Sequence, residues 1–121
     1  MLLEIRDVRQ FEDDDFRRWF MDEFFDLIVW YDERNRITGF QLCYDKDRRE
    51  RALTWRSNRG YSHTGVDDGE RPGSSKMSPI LAADGVFDSA SVAERFKKES
   101  ERIDPAVVAF VYEKVTQYAR E

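Results

Sequence analysis

Apolar positions along this chain change period once. Before residue 57 they alternate or run together, as in strands; after residue 84 they recur every three or four positions, as in helices. The clearest strand is Phe24-Phe25-Asp26-Leu27-Ile28-Val29-Trp30-Tyr31, aromatic and β-branched, and apolar on both faces except at Asp26. Asp32-Glu33-Arg34-Asn35-Arg36 predicts a turn, with Asn35 suited to a left-handed backbone. Ile37 to Tyr44 returns as a partner strand, with Phe40, Leu42 and Tyr44 on one face and Gly39, Gln41 and Cys43 on the other. A charged turn at 45–49 leads into Glu50 to Arg56, where Leu53 and Trp55 share one face and Ala52 and Thr54 the opposite one.

Two earlier segments complete the strand half. Leu3 to Gln10 alternates loosely and reads as a charged edge strand, ended by the acidic run Glu12-Asp13-Asp14-Asp15. Such a run is a solvated turn unless a folded loop converges its carboxylates on a cation. Residues 16–24 support two structures. Phe16, Trp19, Phe20 and Phe24 fit one face of a helix, whereas Arg17-Arg18-Trp19-Phe20 followed by Met21-Asp22-Glu23 fits a strand and turn. Aromatic enrichment and the strand that follows favour the hairpin.

From Ser57 to Ser78 the periodicity disappears, and Arg59-Gly60, Asp68-Gly69 and Pro72-Gly73-Ser74-Ser75 mark turns in a long loop. Pro79 to Ala83 suggests a short buried strand before Asp84-Gly85. A helix then begins near Asp88 or Ser89, with Ser91-Val92-Ala93-Glu94 at capping-box spacing and Val92, Phe96 and Ile103 as its apolar stripe. Asp104-Pro105 starts a second helix, an acid at the cap and proline at the first turn, with Val107, Val108, Val111, Val115 and Tyr118 on one face. The expectation is a single α+β domain over residues 1–121: an antiparallel meander of four to five strands, then two C-terminal helices packed on one face. The opposite face of the strand at 24–31 then needs cover from the long loop, from curling of the sheet, or from a second subunit. A homodimer is therefore one expected partner.

Composition narrows the classes. With 121 residues, 40% of them hydrophobic and 14% aromatic, the chain can build a core despite 37% charged residues. Its net charge of −5 is unevenly spread: residues 36–60 carry seven bases against three acids, while residues 1–35 carry eleven acids against five bases. One local basic segment in an acidic chain disfavours general nucleic-acid binding. The single cysteine rules out an internal disulfide and the two-cysteine metal knuckles. No apolar run approaches a membrane span, and the first residues lack the uncharged stretch of a signal peptide, so a cytoplasmic protein is expected.

The blocks Arg17-Arg18-Trp19-Phe20, Asp26-Leu27-Ile28-Val29-Trp30, Gly39-Phe40-Gln41-Leu42-Cys43-Tyr44-Asp45-Lys46, Ala52-Leu53-Thr54-Trp55, Val66-Asp67-Asp68-Gly69-Glu70 and Pro79-Ile80-Leu81 resemble a group of short uncharacterised bacterial proteins with no assigned function. The resemblance spans most of the chain. It implies a stand-alone bacterial domain and carries over no catalytic role.

Four constellations carry candidate chemistry. The basic-aromatic stretch from Thr54 to His63 offers Trp55, Arg56, Arg59, Tyr61 and His63 as a binding set for a small anionic or planar ligand, or for a protein partner. The alternative is a strand end whose Trp55 is core and whose arginines pair with acids. His63 with Asp67, Asp68 and Glu70 could hold a divalent metal or pair imidazole with carboxylate, as in a metal-assisted hydrolase, although Asp68-Gly69 is equally a plain turn. Cys43 within a central strand reads as a small core residue unless a base or cation stabilises its thiolate. Asp26 needs a partner in an apolar strand, with Arg17 and Arg51 the available cations; Asp32, about 20 Å along the same face, is too far for a two-carboxylate mechanism. Glycines are too sparse for a phosphate loop and no serine sits in a nucleophile elbow, so no cofactor is expected. A non-enzymatic binding or regulatory module acting through residues 54–78 ranks first, a metal-assisted hydrolase second and an RNA-binding module third.

Overall fold

The computed structural model describes residues 1–12, 15–46, 50–65 and 89–118. Six strands form one antiparallel meander in chain order: β1 Leu3–Ile5, β2 Phe16–Met21, β3 Phe25–Tyr31, β4 Ile37–Tyr44, β5 Arg51–Arg56 and β6 Gly60–Gly65. Two helices follow, α1 Ser89–Lys98 and α2 Pro105–Tyr118. The α+β architecture is the expected one. The sheet has six strands rather than four to five, because β6 occupies residues 60–65 of the stretch read as loop. Residues 79–83, read as a strand, lie outside the described residues, as does the alternative helix cap Asp88.

Local chemistry sets each turn. After β2, Asp22 Oδ1 accepts the N–H groups of Phe24 at 2.8 Å and Phe25 at 2.7 Å, holding a tight turn. That turn makes residues 16–25 a hairpin rather than a helix, and it pairs Met21 with Asp26. After β3, Asp32 Oδ1 accepts from the N–H groups of Arg34 and Arg36, both at 2.9 Å, and Asn35 takes the left-handed backbone expected of it, φ 63°. After β5, Arg59 N donates to Arg56 O at 3.1 Å and Gly60 has φ 80°, so a three-residue loop returns the chain as β6.

The period-2 pattern then sorts side chains onto two faces. Phe20, Leu27, Val29, Phe40, Leu42 and Leu53 point to one side and are fully buried. Against them pack Val92, Ala93 and Phe96 of α1 and Val107, Val111 and Val115 of α2. Each of the larger side chains, Ala93 excepted, contributes on the order of 1.5–3 kcal/mol through burial. Ile103, expected on the stripe of α1, is buried in the connection between the helices.

Polar ties fix the helices on this face. Asp104 Oδ1 caps α2 by accepting Ala106 N–H at 2.9 Å, as the Asp-Pro pair predicts. Its other oxygen accepts from Arg18 at 3.0 Å, and Arg18 also grips Glu4 of β1 through two N–H groups, at 2.9 and 2.8 Å. Arg95 of α1 lies 3.7 Å from the ring of Phe24 in the β2–β3 turn. Among the described residues, no helix is long and apolar enough to cross a membrane.

Candidate functional site

The β5–β6 hairpin carries the expected binding set, and its register divides that set in two. Trp55 pairs with Tyr61 and Leu53 with His63, placing Trp55, Tyr61 and His63 on the helix-covered side. There they form the seam between sheet and α2. Trp55 stacks on Phe40 and meets Phe110 edge-on, with centroids 6.4 and 5.4 Å apart, and Lys114 Nζ lies 4.3 Å from its ring. Tyr61 donates its hydroxyl to Lys114 O at 2.8 Å and packs on Tyr118. Arg56 projects from the opposite face, and Arg59 stands exposed in the turn. Asp67, Asp68 and Glu70, the acids of the candidate metal set, lie outside the described residues. No cluster of three metal-ligating side chains occurs among the described residues.

His63 is held in a polar pair. Its Nε2 lies 2.6 Å from the Tyr44 hydroxyl, and the two rings stack 5.9 Å apart, tilted by 15°. Burial, helped by the Arg51 charge, pushes the imidazole below its ordinary value; burial also pushes the Tyr44 hydroxyl well up. Both partners are therefore neutral near pH 7, and the tyrosine hydroxyl and the imidazole share one hydrogen bond. Arg51 extends over the Tyr44 ring at 5.5 Å, and its buried Nε has no hydrogen-bond partner among the described residues. Lowering the imidazole pKa means that the unfolded chain takes up a proton that the folded chain refuses. Stability should thus be full above pH 6.5 and fall as the solution is acidified below it. Urea denaturation of the parent between pH 7 and 5 should show this loss, and His63→Gln should flatten it.

The face away from the helices has a different chemistry. Trp19 and Met21 of β2, Ile28 and Trp30 of β3, Gln41 of β4 and Thr54 of β5 are all partly exposed on it. Two polar contacts order these rings. Trp19 donates its indole N–H to Asp26 Oδ1 through a short hydrogen bond, and the Arg56 guanidinium lies 3.8 Å from the Trp30 ring. The indole replaces the ion pair expected for Asp26. Arg51 projects from the other face, while Arg17 donates Nε to Arg9 O and lies over the ring of Phe11.

Gly39 makes the Arg56 position possible. A Cβ there would sit 2.7 Å from Trp55 O and 2.8 Å from Arg56 Cδ, so only glycine lets the arginine cross to Trp30. Cys43 shares this face but is buried, and burial pushes its thiol up, away from a nucleophilic thiolate.

Concavities among the described residues include two that lie elsewhere. One, of about 630 Å³, runs beside β1 and β2 and is lined by Glu4, Arg6, Asp7, Gln10 and Arg17 among others. Gln10 there accepts Arg17 N–H at 2.9 Å and donates to Arg17 O at 2.8 Å, standing in for a strand neighbour past the end of β1. The other, about 370 Å³, is a mainly apolar groove between α1 and α2 that includes Ile103, Val108 and Tyr112. No protein-family model, no curated protein and no solved structure matches the chain.

Proposed function

We propose that this protein acts by binding another protein rather than by catalysis, and that the sheet face opposite α1 and α2 is its recognition surface. The observation that carries this reading is the pair of partly exposed tryptophans, each held by a charged side chain of its own face. Aromatic anchors fixed before contact lose little freedom on binding, and they dominate binding energies. The candidate reactive groups fit catalysis less well. His63 spends Nε2 on Tyr44, and both Tyr44 and Cys43 are shifted toward their protonated, unreactive forms. Of the surface expected at residues 54–78, Thr54 and Arg56 lie on this face, and residues 66–78 lie outside the described residues.

Selection of phage-displayed random peptides on the purified protein tests the reading. Selected peptides should bind the parent and lose roughly tenfold or more in affinity to a Trp30→Ser variant of unchanged stability. Peptides that bind Trp30→Ser as tightly as the parent would place recognition elsewhere.

A further inference from the structure

The face offers two indoles and Met21 around a central row formed by Ile28, Gln41 and Thr54, which are register partners across β3, β4 and β5. Three properties identify an occupant. Its formal charges come in both signs and are already engaged: Asp26 with the Trp19 indole, Arg56 with the Trp30 ring, Arg17 with Arg9 O and Phe11. Such a face can meet a copy of itself without like charges being driven together.

The second property disfavours nucleic acid. The chain carries a net charge of −5, and one side of the Trp30 ring, which a base would stack on, is taken by Arg56. The third is size. Six strands about 4.8 Å apart and three to eight residues long, six on average, outline roughly 500 Å² before side-chain relief. Standing side chains raise that toward the roughly 800 Å² per partner of a standard interface.

We infer that the partner bound by this face is a second copy of the chain, forming an isologous sheet-on-sheet dimer with the helices outermost. This inference rests on the recognition reading above and names its partner. Two twisted sheets packed in this way lie about 10 Å apart with their strands roughly 30° off parallel, each row interdigitating with the other. The pair around a two-fold axis repeats every contact, so one substitution in the central row acts twice.

Sedimentation velocity of the full chain from about 1 to 200 µM, a range that brackets ordinary dimer affinities, tests this. The expected result is a shift toward twice the 14.4 kDa chain mass as concentration rises. Ile28→Lys and Thr54→Lys should each weaken association by roughly 30-fold or more, because a charge is desolvated at the centre. Ile28→Thr is the milder replacement should either lysine variant fail to fold. Val108→Lys, in the groove between the helices, should leave association unchanged. A monomer at every concentration, or a dimer indifferent to the central-row substitutions, overturns the inference. In the monomer case, selected peptides that still need Trp30 preserve the recognition surface and remove only the second copy. A fluorescent single-stranded RNA of about 20 nucleotides, bound by the parent and lost in Ile28→Lys, would replace the second copy by nucleic acid.

Discussion

Phe25→Ala is expected to lower the unfolding free energy by about 3–5 kcal/mol, the cost of removing a fully buried aromatic ring and leaving a cavity. Phe25 joins three parts of the molecule. It is the first residue of β3, it pairs with Tyr44 of β4, and its ring meets Phe24 and Phe96 edge-on at 4.8 and 5.9 Å. Phe96 belongs to α1, so the truncation loosens the helix from the sheet as well as thinning the sheet core. Set against the roughly 5–15 kcal/mol that holds a domain folded, this loss leaves the variant marginal. Phe16, also aromatic and also in this sheet, is 49% exposed, and Phe16→Ala should cost about 1 kcal/mol or less. Urea titrations of the two variants measure the contrast. Equal losses would mean that the core is not where the fold places it.

Gly39→Ala is expected to destabilise the fold by about 1–3 kcal/mol through overpacking, although it adds a single methyl group. The new Cβ would meet Trp55 O, a backbone atom that cannot swing aside, and Arg56 Cδ, which can. Arg56 must then leave the Trp30 ring, giving up a contact worth about 0.5–1 kcal/mol at an exposed site. A double-mutant cycle separates these effects. In an Arg56→Ala background the side-chain clash is gone while the backbone clash stays, so Gly39→Ala should cost less there but not nothing. Additive losses would mean that Arg56 and Gly39 do not share the space beside Trp30.

Much of this architecture was legible in the sequence, for reasons visible at single residues. The alternation in β4 and β5 named the inward residues Phe40, Leu42, Leu53 and Trp55, and the Asp104-Pro105 pair marked the start of α2. The strand β6 was hidden because its inward residues are Tyr61 and His63, and the rest is Gly, Ser and Thr. That pattern shows no apolar alternation even though its geometry is a plain hairpin. The candidate site failed to assemble for a reason the sequence did contain. Trp55 and Arg56 are consecutive in a strand and must point to opposite faces, so a set containing both cannot converge on one pocket. The Trp19–Asp26 bond was out of reach, because it depends on a turn whose length is set by the Asp22 carboxylate.

The three tryptophans provide the sharpest test of the central claim, that recognition takes place on the sheet face opposite α1 and α2. Trp19 and Trp30 stand on that face, and Trp55 is packed between β4 and α2. Their indole N–H resonances, followed in ¹⁵N correlation spectra as a selected peptide is added, report each face separately. The signals of Trp19 and Trp30 should shift with the titration while that of Trp55 holds its position. Movement of Trp55 with Trp19 and Trp30 unmoved would contradict the claim.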